Sequence, residues 1–399
     1  MNCFYKAYCR IYQTGFKIAL PVLPYRKPKL ITGVDNLVYM LKKKHIKSVL
    51  IVTDSAIRGF GITKPLEDLL RKNKIHCFVY DKTVANPTDR NVEEARELYI
   101  SGKCKAIIGF GGGSSMDCAK AVGARIAKPR QSVAQMEGLL KVHKKLPMLI
   151  AIPTTAGTGS ETTLAAVITN EKTRHKYPIN DFCLIPKYAV MDAKATLSLP
   201  KHITAETGMD ALTHAVEAFI GRSTTKETEK DAINAVKLIF KNIFTAYEHG
   251  DNLKARHNML KAAYMAGNAF TRSYVGYVHA VAHTLGGKYN VPHGLANAVL
   301  LPYVLEAYGE SAHKRLHRLA IEIGISTPEE SHREGAVKFI EAVKDMKKRL
   351  NIPDTIKGIV EEDIPELAAH AAKEGNPLYP VPKLMDKYEL MQFYYDVME

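Results

Sequence analysis

No apolar stretch in this 399-residue chain reaches the roughly 20 residues needed to cross a bilayer. Within the first 26 residues the longest apolar stretch, IALPVLP, is short and broken by proline. No small-residue cleavage site follows it, so no signal peptide is expected. No CxxC pair occurs either. The six cysteines, Cys3, Cys9, Cys77, Cys104, Cys118 and Cys183, are scattered, whereas a disulfide scaffold crowds them into a short secreted chain. Free thiols and a reducing, cytoplasmic setting are the expectation. The 26 glycines and 19 prolines are close to the ordinary background, which excludes a collagen-like, low-complexity or mainly disordered chain. Internal repeats and long flexible linkers are missing too. The length suits two to three domains, and a 46% hydrophobic content is enough to build large cores.

The charge balance is lopsided: 56 Lys and Arg against 41 Asp and Glu give a net +15. That invites a nucleic-acid reading. The densest basic runs, at 42–47, 141–145 and 345–349, sit in helix-like patterns or their flanks and read as solvated faces. No helix-turn-helix, zinc-finger or RNP signature accompanies them. Charge alone supplies only nonspecific affinity, so no nucleic-acid partner is expected, and the lack of a spanning segment leaves no membrane partner expected either.

Strand-like runs at 47–53, 75–80, 105–110 and 147–152 alternate with helical patterns at about 63–73 and after Thr88 or Asp89. Near-continuous apolar strands alternating with helices predict a parallel sheet covered on both faces. After Leu199-Pro200 the apolar spacing becomes three or four, as in 215–220, 231–247 and 336–350, and no strand run returns. We therefore expect a Rossmann-like α/β domain over 1–200 and an all-α domain over 201–399. In such a two-domain enzyme ligand sites commonly fall between the halves. Residues 1–26 suggest no role.

Gly109-Phe110-Gly111-Gly112-Gly113-Ser114-Ser115-Met116-Asp117 follows the third strand run and opens a helix. Three glycines in a row let backbone pass close to a ligand, and free N–H groups at a helix start favour phosphate. A tight strand-to-helix turn is the structural alternative. The spacing departs from the ordinary dinucleotide fingerprint, because the sixth position from Gly109 is Ser114. Asp54, at the end of the first strand run, could accept ribose hydroxyls and repel a 2′-phosphate, or cap a helix. The segment 153–163, PTTAGTGSETT, offers hydroxyl donors at a strand's carboxyl end.

Asp210 and His214 are four residues apart, as are His279 and His283, so each pair shares a helix face. Gly286-Gly287 are expected to end the helix and fold the chain back, bringing His293 to the same place. A His3Asp-type set suits a borderline divalent ion such as Fe2+ or Zn2+. The Glu of HExxH is missing, which argues against that class of metalloprotease.

With these residues in view, the sequence resembles the iron-containing, or group III, alcohol dehydrogenases from about Asp54 to Tyr303. The motifs carrying the resemblance are GGGSSMD at 111–117, PTTAGTGSE at 153–161, GMDALTHAVEAF at 208–219 and VHAVAHTLGGKYNVPHGLANA at 278–298. The resemblance implies a homo-oligomer with an N-terminal dinucleotide-binding domain and a helical C-terminal domain. It implies Asp210, His214, His279 and His293 as metal ligands and His283 as proton relay beside the nicotinamide. It further implies Gly111, Gly112, Gly113, Ser114 and Asp117 as the pyrophosphate loop, and Thr154, Thr155 and Thr158 as a hydroxyl-rich cofactor loop. Asp54 stands where an acid favours NAD over NADP. Phe270 resembles an aromatic that narrows the substrate pocket, with core packing as the other reading. Thr284 stands where many members carry Pro, and Leu378 follows Asn376-Pro377 where the family has Arg.

The implied chemistry is hydride exchange between a small primary alcohol or diol and NAD(H), with the metal as Lewis acid and His283 passing the hydroxyl proton. Glycerol dehydrogenase and dehydroquinate synthase look similar in fold. A synthase needs a basic pocket for a phosphate-bearing substrate, and no motif here supplies one. Maleylacetate reductase works without metal, against which the four-ligand set argues. A basic nucleic-acid-binding protein is the non-enzyme alternative, and it would not need the histidines.

Overall fold

A computed structural model describes residues 1–399 and divides them into two compact units, Pro24–Leu199 and Met1–Leu23 with Pro200–Glu399. In the first unit six strands form one parallel sheet: β1 (Lys29–Thr32), β2 (Ser48–Val52), β3 (His76–Tyr80), β4 (Ala106–Gly111), β6 (Met148–Pro153) and β9 (Tyr188–Met191), in the order β1-β9-β6-β4-β2-β3. β5 (Gly138–Leu139), β7 (Ala165–Thr169) and β8 (Lys176–Asn180) make a small second sheet. The helices of this unit are α2 (Gly33–Lys43), α3 (Ser55–Gly59), α4 (Lys64–Lys72), α5 (Asp89–Ser101) and α6 (Gly113–Ala127), after α1 (Cys3–Ala19) of the other unit.

Strand alternation divides the apolar side chains between two cores. Leu50, Val52, Ile107 and Leu149 face Val92, Ala95, Cys118 and Val122 of α5 and α6. Val49, Ile51, Ile108 and Ile150 face Leu37, Leu41, Leu66 and Leu70 of α2 and α4. Burial on both faces explains why β2 and β4 read as unbroken apolar runs. After β2 the chain adds β3 on one side, then returns to add β4 on the other. The carboxyl ends of β2 and β4 therefore flank a topological switch point, where open α/β sheets form a ligand crevice.

The second unit holds α7 (Lys201–Ile220), α8 (Lys226–Glu248), α9 (Leu253–Ser273), α10 (Tyr277–Tyr289), α11 (His293–Tyr308), α12 (Glu310–Glu322), α13 (His332–Arg349), α14 (Ile364–Gly375) and α15 (Lys387–Val397). α7 is its axle: it is buried from Gly208 to Ile220 and packs against α8, α9 and α11. No helix is long and apolar enough to cross a membrane.

Three expectations change. Residues 1–23 belong with the helical unit, not the α/β one. The Gln13 amide donates to the carbonyls of Tyr379 (2.7 Å) and Pro377 (3.2 Å), and Arg10 donates to those of Val381 and Pro382. Gly286 and Gly287 lie inside α10, which continues to Tyr289. The reversal comes at Asn290, in the left-handed conformation that Asn tolerates (φ 56°). The basic run 141–145 lies in a loop after β5 rather than on a helix.

All six cysteines are free. Cys3 is exposed, whereas burial pushes the thiols of Cys77, Cys118 and Cys183 up to about 12. Thiolate, not thiol, is the reactive species. A thiol-disulfide reagent at about pH 8 should therefore label Cys3 quickly and the rest only on unfolding. Replacing Cys3 with Ser should remove the fast phase, which an absorbance titration would read.

Candidate active site

The α/β unit brings together most of the expected cofactor residues. β4 ends in Gly111, where φ is +154° and a Cβ would stand 2.5 Å from the Ser115 hydroxyl, so glycine is needed there. A Cβ on Gly113 would lie 3.3 Å from Thr158. The helix α6 that follows is capped by Gly112 with no side chain satisfying its first N–H groups. These groups are the polar end a phosphate would meet. β6 leads into Thr154, whose N–H donates to the Gly111 carbonyl (3.0 Å), and into Thr155, whose buried hydroxyl has no protein partner. Asp54 follows β2. Its Oδ1 accepts the Ile57 N–H (2.9 Å) as the cap of α3, and its Oδ2 accepts the Ser115 hydroxyl (3.3 Å). Asp54 is thus a helix cap whose second oxygen lies beside the glycine loop. An orphan hydroxyl, open helix N–H groups and a cradle that a Cβ would fill all fit a dinucleotide's phosphates.

Asp117 points elsewhere. It accepts the Ser160 hydroxyl (2.7 Å) and the Val167 N–H (3.0 Å), and stands 3.6 Å from the Lys120 ammonium. Lys120, fully buried, donates to Ser160, Thr163 and the Ala165 carbonyl. This knot ties the hydroxyl-rich loop to α6. The sequence alone gave no sign of it, because Lys120 reads as a surface charge. Burial pushes the neighbouring Glu161 carboxyl up to about 7, against the pull of Lys120.

In the helical unit, Asp210, His214, His279 and His293 place one ligand atom each within 4.8 Å of all the others. From the Asp210 Oδ1 the imidazole nitrogens of His214, His279 and His293 lie at 3.7, 3.9 and 3.6 Å. Four donors held tetrahedrally at about 2.1 Å from Zn2+ stand about 3.4 Å apart, so the Asp210 separations are already close and the remaining donors must draw in from within 4.8 Å. Three helices supply it: α7 gives Asp210 and His214, α10 gives His279, and His293 opens α11. The Asn297 amide, one turn beyond His293, donates to Asp210 Oδ1 (2.8 Å), and its nitrogen lies 3.1 Å from His293 Nε2 and 3.2 Å from His279 Nε2. That nitrogen thus lies within 3.2 Å of an atom from three of the four residues. The residues present fit a divalent cation.

His279 is oriented from behind. Its Nδ1 meets the buried Glu217 carboxyl at 2.6 Å, and the Val278 N–H donates to the same carboxyl at 2.9 Å. The Glu217 contact holds the ring through Nδ1 and leaves Nε2 facing the other ligand residues. Burial pushes Glu217 up to about 8 and holds His279 well below its usual range, which keeps the ring neutral and able to ligate. The sequence did carry a signal for Glu217. It falls seven residues after Asp210 and three after His214, on the same face of α7.

His283 stands apart from the four. It is 43% exposed and stacks on His293, with ring centroids 5.2 Å apart. Its Nδ1 donates to Glu374 of α14 at 2.6 Å, and the Tyr379 hydroxyl donates to the same oxygen. Burial alone would raise the Glu374 carboxyl, but His283 beside it holds it below the usual value. Glu374 lies 91 residues from His283, so no local spacing pointed to it. Phe270 stacks on the His214 ring (4.1 Å, 14°). Thr284 donates to the Val281 carbonyl and meets the Tyr394 hydroxyl at 2.6 Å. Asn376 is structural: it accepts the Tyr277 hydroxyl and donates to the Met385 carbonyl.

Gly294 sets the distance between α11 and α7. A Cβ there would lie 2.6 Å from the Glu206 carbonyl oxygen, a backbone atom that cannot rotate away. Gly294→Ala should force the helices apart and move His293 from Asp210. We expect at least about a tenfold loss of divalent-cation affinity, or about 1.4 kcal/mol, by competition with a chromophoric chelator. Far-UV circular dichroism should stay unchanged.

Comparison with known proteins fits this geometry. Residues 29–193 match the family described as iron-containing alcohol dehydrogenase, and 204–398 match its C-terminal part. Alcohol dehydrogenase 4 of Saccharomyces cerevisiae is 38% identical over 339 residues, covering 84% of this chain and 87% of its own. The NAD-dependent methanol dehydrogenase of Bacillus methanolicus is 34% identical over 336 residues, covering 84% and 88%. The crystal structure of a 1,3-propanediol oxidoreductase superposes with a TM-score of 0.89 at 33% identity, covering 94% of this chain and 99% of that one. The chain belongs to the iron-containing alcohol dehydrogenase family.

Proposed function

We propose that the protein is a metal-dependent, NAD(H)-linked alcohol dehydrogenase and aldehyde reductase acting on small primary alcohols or diols. The observation that carries this reading is the convergence of Asp210, His214, His279 and His293 beside a separate His283–Glu374 pair. Fe2+ is the first choice of cation on the family's description, and Zn2+ suits the same donors. The six free thiols support a reducing, cytoplasmic setting, and the working form is read as a homo-oligomer.

When bound, the cation would supply Lewis acidity toward the substrate oxygen, and the nicotinamide would supply the redox step. The chain's own residues do the rest. Glu217 holds the His279 ring through Nδ1, so that Nε2 faces the ion's position. His283 donates its Nδ1 proton to Glu374, which leaves Nε2 to accept the hydroxyl proton in oxidation and return it in reduction. Phe270 braces His214 and bounds the pocket on that side. In the α/β unit, Gly111, Gly112, Gly113 and Ser114 would hold the pyrophosphate, and Thr154, Thr155 and Thr158 would hydrogen-bond the rest of the cofactor. Asp117 serves that site by bracing the loop through Ser160.

His279→Ala should abolish both metal content and turnover. His283→Ala should keep about one metal per chain while lowering kcat by about 10²- to 10⁴-fold. Elemental analysis of anaerobically purified protein with an NADH-absorbance assay on short alcohols and aldehydes reads both. An empty site in His283→Ala would refute the relay assignment.

Asp54→Ala should improve NADPH use relative to NADH by at least about tenfold, because the acid that repels a 2′-phosphate is gone. The ratio of kcat/KM for the two cofactors checks this. An unchanged ratio would leave Asp54 as a helix cap alone.

A further inference from the structure

Helix α1 buries one face and leaves the opposite face bare. Cys9, Gln13 and Leu20 turn inward, and Phe16 packs edge-on against Tyr274. On the far side Phe4, Tyr8, Ile11 and Ile18 follow a helical spacing of four, three and seven residues, with Gly15 between the last two, and Val22 continues the row. Phe4, Ile11, Ile18 and Val22 are 89, 72, 74 and 82% exposed. Single exposed apolar residues are ordinary, but a continuous row marks a contact surface. α1 also lies ahead of both segments matched to the family.

Charge gives a second, independent observation. No Asp or Glu occurs in α1 or before it, whereas Lys6, Arg10 and Lys17 do. Lys17 also lines a cavity of about 540 Å³ with Arg222, Thr224, Glu229, Ser311 and Arg315, among others. Glu229 is already shared by Arg315 and Arg318. Burial and the neighbouring Arg222 hold the Arg10 guanidinium below its ordinary value. With Thr224 and Ser311 beside its basic side chains, the cavity offers cations and hydroxyls to an anion.

We propose that α1 and this cavity form a docking surface for an anionic phospholipid bilayer. The apolar row enters the boundary between headgroups and acyl chains, and the cavity beside it takes a headgroup phosphate. The helix lies in the plane of the surface, as amphipathic interfacial helices do. The expectation of no membrane partner rested on the lack of a spanning segment, and a helix lying flat needs none. A second copy of the chain fits less well, because pairing through α1 would bring two acid-free basic segments together. An anionic surface compensates them, and each Lys or Arg near it strengthens binding about fivefold. The proposal stands independently of the catalytic reading.

Vesicle co-sedimentation of the full chain tests it. The protein should pellet with phosphatidylcholine vesicles holding about 30 mol% phosphatidylserine and stay in solution with phosphatidylcholine alone. Binding should fall as NaCl rises from about 0.1 to about 0.5 M. The double variant Ile11→Glu/Ile18→Glu should lose it, and Lys17→Ala/Arg222→Ala should weaken it by at least about tenfold. Unchanged thermal midpoints and alcohol turnover in both variants would assign the loss to the surface. Absence of vesicle binding overturns the proposal. So does vesicle binding that Ile11→Glu/Ile18→Glu leaves intact, which would point to a phosphate pocket without insertion. Self-association abolished by that variant, with no vesicle binding, would make a second copy the occupant.

Discussion

A carboxylate cannot be buried without partners, and Asp210 is almost wholly buried. Its partners are three imidazoles and one amide, drawn from α7, α10 and α11. Much of the helical unit's architecture serves that meeting. α7 is buried along most of its length because neighbours surround it. α10 must end at a residue that tolerates a left-handed backbone so that α11 can begin at His293. Gly294 must lack a side chain so that α11 can touch the α7 backbone. Glu217 must sit one turn beyond His214 to fix the His279 ring. Each is a condition on one residue, and together they determine where four lone pairs point.

The two units divide the chemistry by the kind of preorganisation they offer. The helical unit aims side chains: nearly every group there has a second group behind it, as Glu217 stands behind His279 and Glu374 behind His283. The α/β unit instead aims backbone. Its glycines clear space, its helix start supplies N–H groups, and the Lys120–Asp117–Ser160 knot keeps the hydroxyl loop in place. Asp117, matched to the same loop, accepts from Ser160 and Val167 and so ties the hydroxyl loop to α6.

The sequence spoke clearly where one periodicity dominated. β2, β4 and β6 are apolar on both faces and were legible as strands, and the helices beyond residue 200 followed their spacing. β1 was not, because it is four residues of mostly exposed edge, and β9 was too short to register despite full burial. α1 went unassigned because it carries apolar residues on two opposite faces, which blurs the pattern of a helix with one buried side. At the site, Asp210, His214, His279 and His293 were legible because each is a ligand type with a neighbour one turn away or a turn signal beside it. Glu374 was not, since only the tertiary fold brings α14 to α10. The two glycines of α10 misled because they mimic a helix end, whereas neither is required by a crowded neighbour: a Cβ on Gly287 would meet nothing and one on Gly286 would only touch a carbonyl.

The helical unit is discontinuous in the chain, with the whole α/β unit inserted between α1 and α7. A ribosome therefore makes α1 well before the last of its binding partners. The carbonyls that Gln13 and Arg10 hold belong to Pro377–Pro382. At about 5–20 residues per second they follow α1 by roughly 20–70 seconds. During that interval the α/β unit can be completed and fold as a unit, while α1 still lacks the carbonyls that will hold Gln13 and Arg10. Both of its apolar faces are then open to whatever the nascent chain meets. The contacts that finish the helical unit are among the last the chain can form, and they are made by its first helix.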